Sequence, residues 1–326
     1  MSGDLRPRIY RLVFTAAAIY NIAFGLWAAL VPLAFFRLFD LDAPRYPAIW
    51  ACLGMVVGLY GVVYAYAAWR LDRAAPLIAI GLAGKVLGPI GWIMSVRNGE
   101  LPFRTFALIV FDDLIWWLPF TLFLLEGTRI RRFLTETAAW WCALLHAVAA
   151  IGTLVLLRGG SEAGGSVTER AAWLATHTVQ WRAGWMIWMA AAVSLLAFYV
   201  WWGARVSARH AVVALTIAFA GLACDFAGES IFIGWIPAPD SDLYRVAALL
   251  TGGAGNGLYT LAGILLTLAT PSLPLFLRGW AWLVWASGAA LTVATIADVP
   301  AGAVAASAVL MGLFIPWVVA AGMRLR

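Results

Sequence analysis

Ten stretches of predominantly apolar residues run through this chain, at 11–33, 48–69, 74–96, 104–125, 138–158, 183–203, 211–235, 245–269, 279–298 and 301–322. A helix needs about 20 such residues to cross the hydrocarbon of a bilayer. Hydrophobic side chains fill 64% of the 326 positions and charged ones only 12%, against about 25% charged in an average soluble domain. A water-soluble globule is excluded. The pattern predicts an all-α, polytopic membrane helical bundle of about ten transmembrane helices.

The basic residues test that reading. All but Lys85 are arginines, and nearly all lie at the ends of the apolar runs. With the N-terminus in the cytoplasm, the inner ends carry Arg6, Arg8, Arg11, Arg70, Arg73, Arg129, Arg131, Arg132, Arg205, Arg209, Arg278, Arg324 and Arg326. The outer ends carry Arg37, Arg45, Arg97, Arg104, Arg158, Arg170, Arg182 and Arg245. The positive-inside rule then predicts an N-in, C-in chain in a cell membrane, here the bacterial inner membrane. The net charge of +6 reflects this topology and not a nucleic-acid-binding face. The lipid bilayer is the first expected partner. Tryptophans near span ends, Trp27, Trp50, Trp92 and Trp235 on one side and Trp140, Trp141, Trp201, Trp202, Trp280, Trp282 and Trp317 on the other, are expected to form headgroup-level belts.

A polar inner connector, about 126–137, separates four spans from six. It predicts a four-helix module over 1–130 and a six-helix module over 131–326. Within the second module, the outer connector 159–182 opens with a flexible glycine-rich run. Ser166 followed by Glu169 then fits a capping box that starts a short helix. Ala171, Ala172, Trp173, Leu174 and Val179 are expected to lie against the membrane surface. The sharper alternative is a lid over an outward-facing cavity.

Lys85 is the feature that first points to a site. An ammonium at bilayer depth costs roughly 2.5–3.5 kcal/mol on insertion scales, so it is a functional candidate by default. Asp112 and Asp113 in the next span lie at nearly the same depth, roughly 15–18 Å from the inner boundary at 1.5 Å per residue. A short loop makes the two spans antiparallel neighbours. One aspartate is expected to face Lys85 while the other, about 100° around the helix, turns elsewhere. Gly81, Gly84, Gly88 and Gly91 form a small-residue face on the lysine-bearing span, and Pro89 should bend that helix and free a carbonyl near Lys85. The bland alternative is an ion pair that only fixes helix packing.

The segments 84–92, GKVLGPIGW, and 111–120, FDDLIWWLPF, resemble those of small, uncharacterised bacterial four-helix membrane proteins of the DoxX-like kind. The resemblance covers about residues 10–126. It implies a four-helix unit and no particular activity.

In the seventh span Asp225 and Glu229 stand four residues apart, hence on one face. Two carboxylates in a low-dielectric setting do not both ionise cheaply, so one should hold a proton unless a cation is bound. Arg182 or Arg245 reaching Glu229 from the outer boundary would restore a structural reading. At the same depth the eighth span reads TGGAGNG from Thr251 to Gly257. Its glycines predict close helix packing, or an unwound stretch that offers carbonyls and Asn256 to a cation. His146, His177 and His210 are scattered, and Cys52, Cys142 and Cys224 are isolated. No haem, zinc or thiol–redox spacing is present, so no cofactor and no metal are expected.

The leading expectation is transport or permeation of a small solute, proton or cation, coupled through Asp225, Glu229 and the Lys85–Asp112/Asp113 group, with Asn256 nearby. The alternatives are a membrane-embedded enzyme acting on a lipid or quinone, and a structural or assembly protein whose polar residues only specify helix pairing.

Overall fold

The computed structural model describes residues 5–126 and 128–325. The side chains of Arg129, Arg131 and Arg132, and all of Arg326, lie outside the described residues, and with them that part of the arginine count. The chain is 83% helical, with no strand among the described residues. This is what hydrocarbon demands, because a helix pairs its own amides and carbonyls without water.

Two compact units emerge, one over residues 3–131 and one over 132–326. The first holds α1 (Leu5–Leu30), α2 (Pro47–Trp69), α3 (Ala74–Arg97) and α4 (Phe103–Leu124). The second holds α5 (Ala138–Leu157), the short α6 (Val167–Thr176), α7 (Thr178–Gly203), α8 (Ala208–Gly234), α9 (Asp242–Leu268), α10 (Leu275–Ile296) and α11 (Pro300–Arg324). Apart from α6, each of these is long and apolar enough to cross a membrane, which makes ten spans among the described residues. The protein is an integral, multi-pass membrane protein. Prolines open α2 and α11 at a position where a missing amide costs nothing. Gly99, at φ +76°, ends α3.

In the four-helix unit the closest backbone approach is between α1 and α2. A Cβ placed on Gly25 would fall 2.6 Å from the Gly54 carbonyl and from the Gly58 backbone, and one on Gly61 would meet Ile22 and Ala18 at 2.7–2.9 Å. Lipid offers no hydrophobic drive for helix pairing, so small residues that let backbones touch supply the van der Waals contact. The glycine face expected on α3 is only half used. Gly81 receives the Tyr64 ring and Gly88 the Asp113 carboxylate, whereas Gly84 and Gly91 face open space.

In the six-helix unit the core is aromatic. Phe198, Trp202, Trp285 and Trp317 stack edge to face or tilted, with centroids 5.4–6.1 Å apart. Trp202 and Trp317 are fully buried and Trp201 nearly so, which corrects their expected place in a lipid-facing belt. The reason is hydrogen bonding. Trp202 Nε1 donates to Thr270 Oγ1 and Trp285 Nε1 to Thr267 Oγ1, each at 2.9 Å, and Trp317 Nε1 donates to the Leu277 carbonyl at 3.0 Å. An indole whose N–H finds an interior acceptor has no need of the headgroup layer. Trp140, Trp141 and Trp282 do remain exposed.

The glycine contacts yield a direct expectation. Gly25→Val should force α1 and α2 apart and cost about 2–3 kcal/mol. Gly84→Ala fills open space and should be neutral or stabilise by about 0.5–1 kcal/mol. Thermal unfolding in detergent, compared with the wild-type protein, reads both.

Candidate functional site

Asp112 and Asp113 stand on a π-helical turn, Val110–Leu114, set into α4. Such a widened turn shifts the side-chain register and is common at functional sites. Here it turns Asp113 inward, 4% exposed, so close to α3 that a Cβ on Gly88 would lie 2.5 Å from its Oδ2. Asp112 keeps a quarter of its side chain exposed and places Oδ1 3.9 Å from Lys85 Nζ. Lys85 is 5% exposed, and its ammonium donates to the Asp112 backbone carbonyl.

The return contact depends on Pro89. Proline has no amide to offer the carbonyl four residues earlier, which is that of Lys85. Trp117 Nε1 donates to that carbonyl at 2.8 Å, and Trp116 Nε1 supplies the Phe111 carbonyl at 2.9 Å. Lys85 therefore grips α4 while α4 grips Lys85 back. Of the two aspartates, Asp112 pairs with the lysine and Asp113 faces Gly88. Tyr20 and Tyr64 lie within electrostatic reach of both.

In the six-helix unit Glu229 is 1% exposed, and its Oε2 has no hydrogen-bond partner among the described residues. Asp225, one turn below on α8, is only partly buried and accepts a hydrogen bond from the Tyr259 hydroxyl at 3.2 Å. Tyr199 in turn donates to the Tyr259 carbonyl at 2.9 Å. The two carboxyls thus have different surroundings. Asp225 has a donor and some exposure, while Glu229 is sealed beside it. A lone ionised carboxylate in a sealed position costs several kcal/mol.

Facing it, α9 widens into a second π-helical stretch, Leu249–Gly255. The glycine-rich run therefore stays helical instead of unwinding. Its closeness to α8 rests on two glycines: a Cβ on Gly228 would lie 2.6 Å from the Ala247 carbonyl, and one on Gly255 would lie 3.0 Å from Asp225 Cβ. Asn256 does not face the carboxylates. Its Nδ2 donates to the Gly288 carbonyl at 2.7 Å and to Thr292 Oγ1 at 2.9 Å, tying α9 to α10. The arginines considered as neutralising partners are engaged near the helix ends. Arg182 Nε donates to the Ile233 carbonyl at 2.9 Å. Arg245 binds Asp298 at 2.7 Å and the Thr295 and Ile296 carbonyls.

His146 is buried, and its Nδ1 lies 2.8 Å from the Cys142 carbonyl. His177 stacks on Trp173 at 4.6 Å. His210 Nδ1 lies 2.6 Å from Ser207 Oγ. No cluster of three or more His, Cys, Asp or Glu side chains suited to a metal ion occurs among the described residues. A pocket of about 360 Å³ is lined by Arg209, His210, Val213 and Leu265. It lies about four helical turns from Asp225 along α8.

The 159–182 connector folds onto the unit. Ser166 Oγ accepts from the Glu169 amide and the Glu169 carboxylate accepts from the Ser166 amide, completing the capping box. The Ser166 amide, helped by its hydroxyl, holds the Glu169 carboxyl below the usual glutamate range. Leu174 joins Leu157, Trp181, Phe232, Tyr244 and Ala247 in a buried cluster against which Trp173 packs. Ala171, Ala172 and Val179 stay exposed, so of the residues expected against the membrane surface two turn inward.

Tyr259, Tyr199, Trp117 and the buried Arg170 take part in these sites without a sequence signal of their own. The one available hint was an arginine beside the apolar run Ala171–Leu174. No protein-family model, curated protein or solved structure matches the chain.

The brace between α3 and α4 is testable by its pairing. Lys85→Met strands Asp112 and should cost about 3 kcal/mol, the lower end for breaking a buried pair because Asp112 is partly exposed. Lys85→Met with Asp112→Asn should recover most of that loss. Thermal unfolding of the purified variants measures the coupling.

Proposed function

We propose that the chain is a proton-coupled transport or permeation protein of a bacterial inner membrane, with both termini in the cytoplasm and the Asp225–Glu229 pair as its proton carrier. The observation that carries this reading is Glu229, an acid sealed inside the bundle with an oxygen that no side chain or amide serves among the described residues. A residue kept for helix pairing would be expected to find a hydrogen-bond partner, as Asn256 and Lys85 do by donating to backbone carbonyls. Intramembrane carboxyls without partners are costly, and proton relays are among their established uses. The partly exposed Asp225 provides the step between water and the sealed acid, and Tyr259 holds its carboxylate in position.

The four-helix unit enters this proposal as a DoxX-like module. Its reciprocal Lys85–Asp112 and Trp117–Lys85 contacts support a role in fixing helix geometry more than one in carrying charge.

The test uses protein reconstituted in liposomes with an imposed pH gradient and a panel of radiolabelled small solutes. Wild-type protein should accumulate a solute in response to the gradient. Glu229→Gln should abolish accumulation while leaving solute exchange without a gradient, and Tyr259→Phe should slow it. Infrared difference spectra should show a protonated-carboxyl band that Glu229→Gln removes. Undiminished gradient-driven uptake by Glu229→Gln would refute the assignment.

A further inference from the structure

We propose that the outer end of the six-helix unit holds a binding site for a small organic carboxylate, built on Arg170, in which Glu162 of the same chain sits as a tethered occupant when the site is closed.

Arg170 projects from α6 and is 7% exposed, an unusual depth for a guanidinium. Its Nε donates to the Gly160 carbonyl at 3.2 Å, and its Cζ lies 5.0 Å over the Tyr244 ring. These contacts fix the plane of the guanidinium and leave one edge unserved. Nη2 is buried and has no hydrogen-bond acceptor among the described residues. The nearest carboxylate, Glu162 Oε1, stands 3.9 Å away, beyond hydrogen-bond reach. That oxygen instead accepts from the Tyr244 hydroxyl at 3.1 Å.

A buried guanidinium is stable when its fork meets a carboxylate in two parallel hydrogen bonds, and Glu162 does not achieve this. Glu162 is carried on a segment with Gly159 and Gly160 before it and Gly164 and Gly165 after it, Gly165 at φ +105°. The glycines pack that segment closely, but the Glu162 side chain is 30% exposed, so a change of rotamer withdraws its carboxylate while the backbone stays in place. A free carboxylate, unconstrained by that tether, could take its place and satisfy both nitrogens.

The surroundings narrow the ligand. The Tyr244 ring lies against the guanidinium and belongs to an apolar cluster with Leu174, Trp181 and Phe232, which suits an anion with a hydrophobic body. One guanidinium matches one carboxylate. Phe232 lies three residues beyond Glu229 on α8, so the same helix serves both places. The inference deepens the proton-coupling reading by naming a substrate class, an anion whose charge a proton would neutralise. Binding itself does not require Glu229 to titrate.

The experiment titrates the purified full-length protein in detergent with sodium benzoate, followed by tryptophan fluorescence and by calorimetry. Wild-type protein should bind saturably. Glu162→Gln, a change at a partly exposed position, should bind roughly threefold tighter or better, because a weak internal competitor is lost. Arg170→Gln should weaken binding at least about tenfold, and Arg170→Lys should fall between them, because the fork is lost while the charge stays. Glu229→Gln should bind benzoate as wild type does, so a failure of coupling and a failure of binding are told apart. The proposal is overturned if benzoate does not bind saturably to either wild type or Glu162→Gln. Equal binding of benzylamine, or binding indifferent to Arg170→Gln, also overturns it, and Arg170 is then only a latch.

Discussion

Taking a charged or unpaired polar group out of water costs more than any one packing contact returns, and the interior of this protein is arranged around that cost. The backbone meets it by being helical throughout the spans. Tryptophan indoles meet it by reaching interior threonines and carbonyls, as Trp202 and Trp285 do. Arg245 meets it by collecting two carbonyls and a carboxylate at the end of α10. Against this background a group that stays unserved is informative, and Glu229 and Arg170 are two of them.

The contrast between the two carboxylate centres follows from the same rule. In the four-helix unit a proline and a π-helical turn disturb the regular backbone ladder. The side chains of Lys85, Trp116 and Trp117 meet carbonyls around that disturbance. The polar groups there stabilise one another, and the result is a cross-brace. In the six-helix unit the corresponding disturbance, the π-helical stretch of α9, lies against α8 through Gly228 and Gly255 and brings no cation to the acids. One centre holds its own cation, Lys85, 3.9 Å from Asp112 Oδ1, although that oxygen accepts no hydrogen bond among the described residues. In the other, Glu229 Oε2 has no hydrogen-bond partner among the described residues.

The 159–182 connector shows how a surface segment becomes part of the interior. Its capping box starts a helix from local chemistry alone. What buries that helix is the cluster of Leu157, Leu174, Trp181, Phe232 and Tyr244, contributed by five different helices. An arginine carried inward on such a helix arrives with its charge, and the Tyr244 face and the Gly160 carbonyl compensate it only in part.

Local chain chemistry determined the ten apolar spans, the capping box at Ser166 and Glu169, the i, i+4 placement of Asp225 and Glu229, and the carbonyl released by Pro89. Each of these depends on spacing along one helix or on one residue's covalent structure, so no neighbour is needed to read it. Tertiary structure decided the rest. It selected Asp112 over Asp113 as the partner of Lys85, turned Asn256 toward α10, drew Trp202 and Trp317 from the expected belt into the core, and brought backbone against backbone at Gly25 of the α1–α2 pair. Those outcomes depend on rotation about helix axes and on which faces meet. A helical periodicity leaves that rotation free until the helices pack.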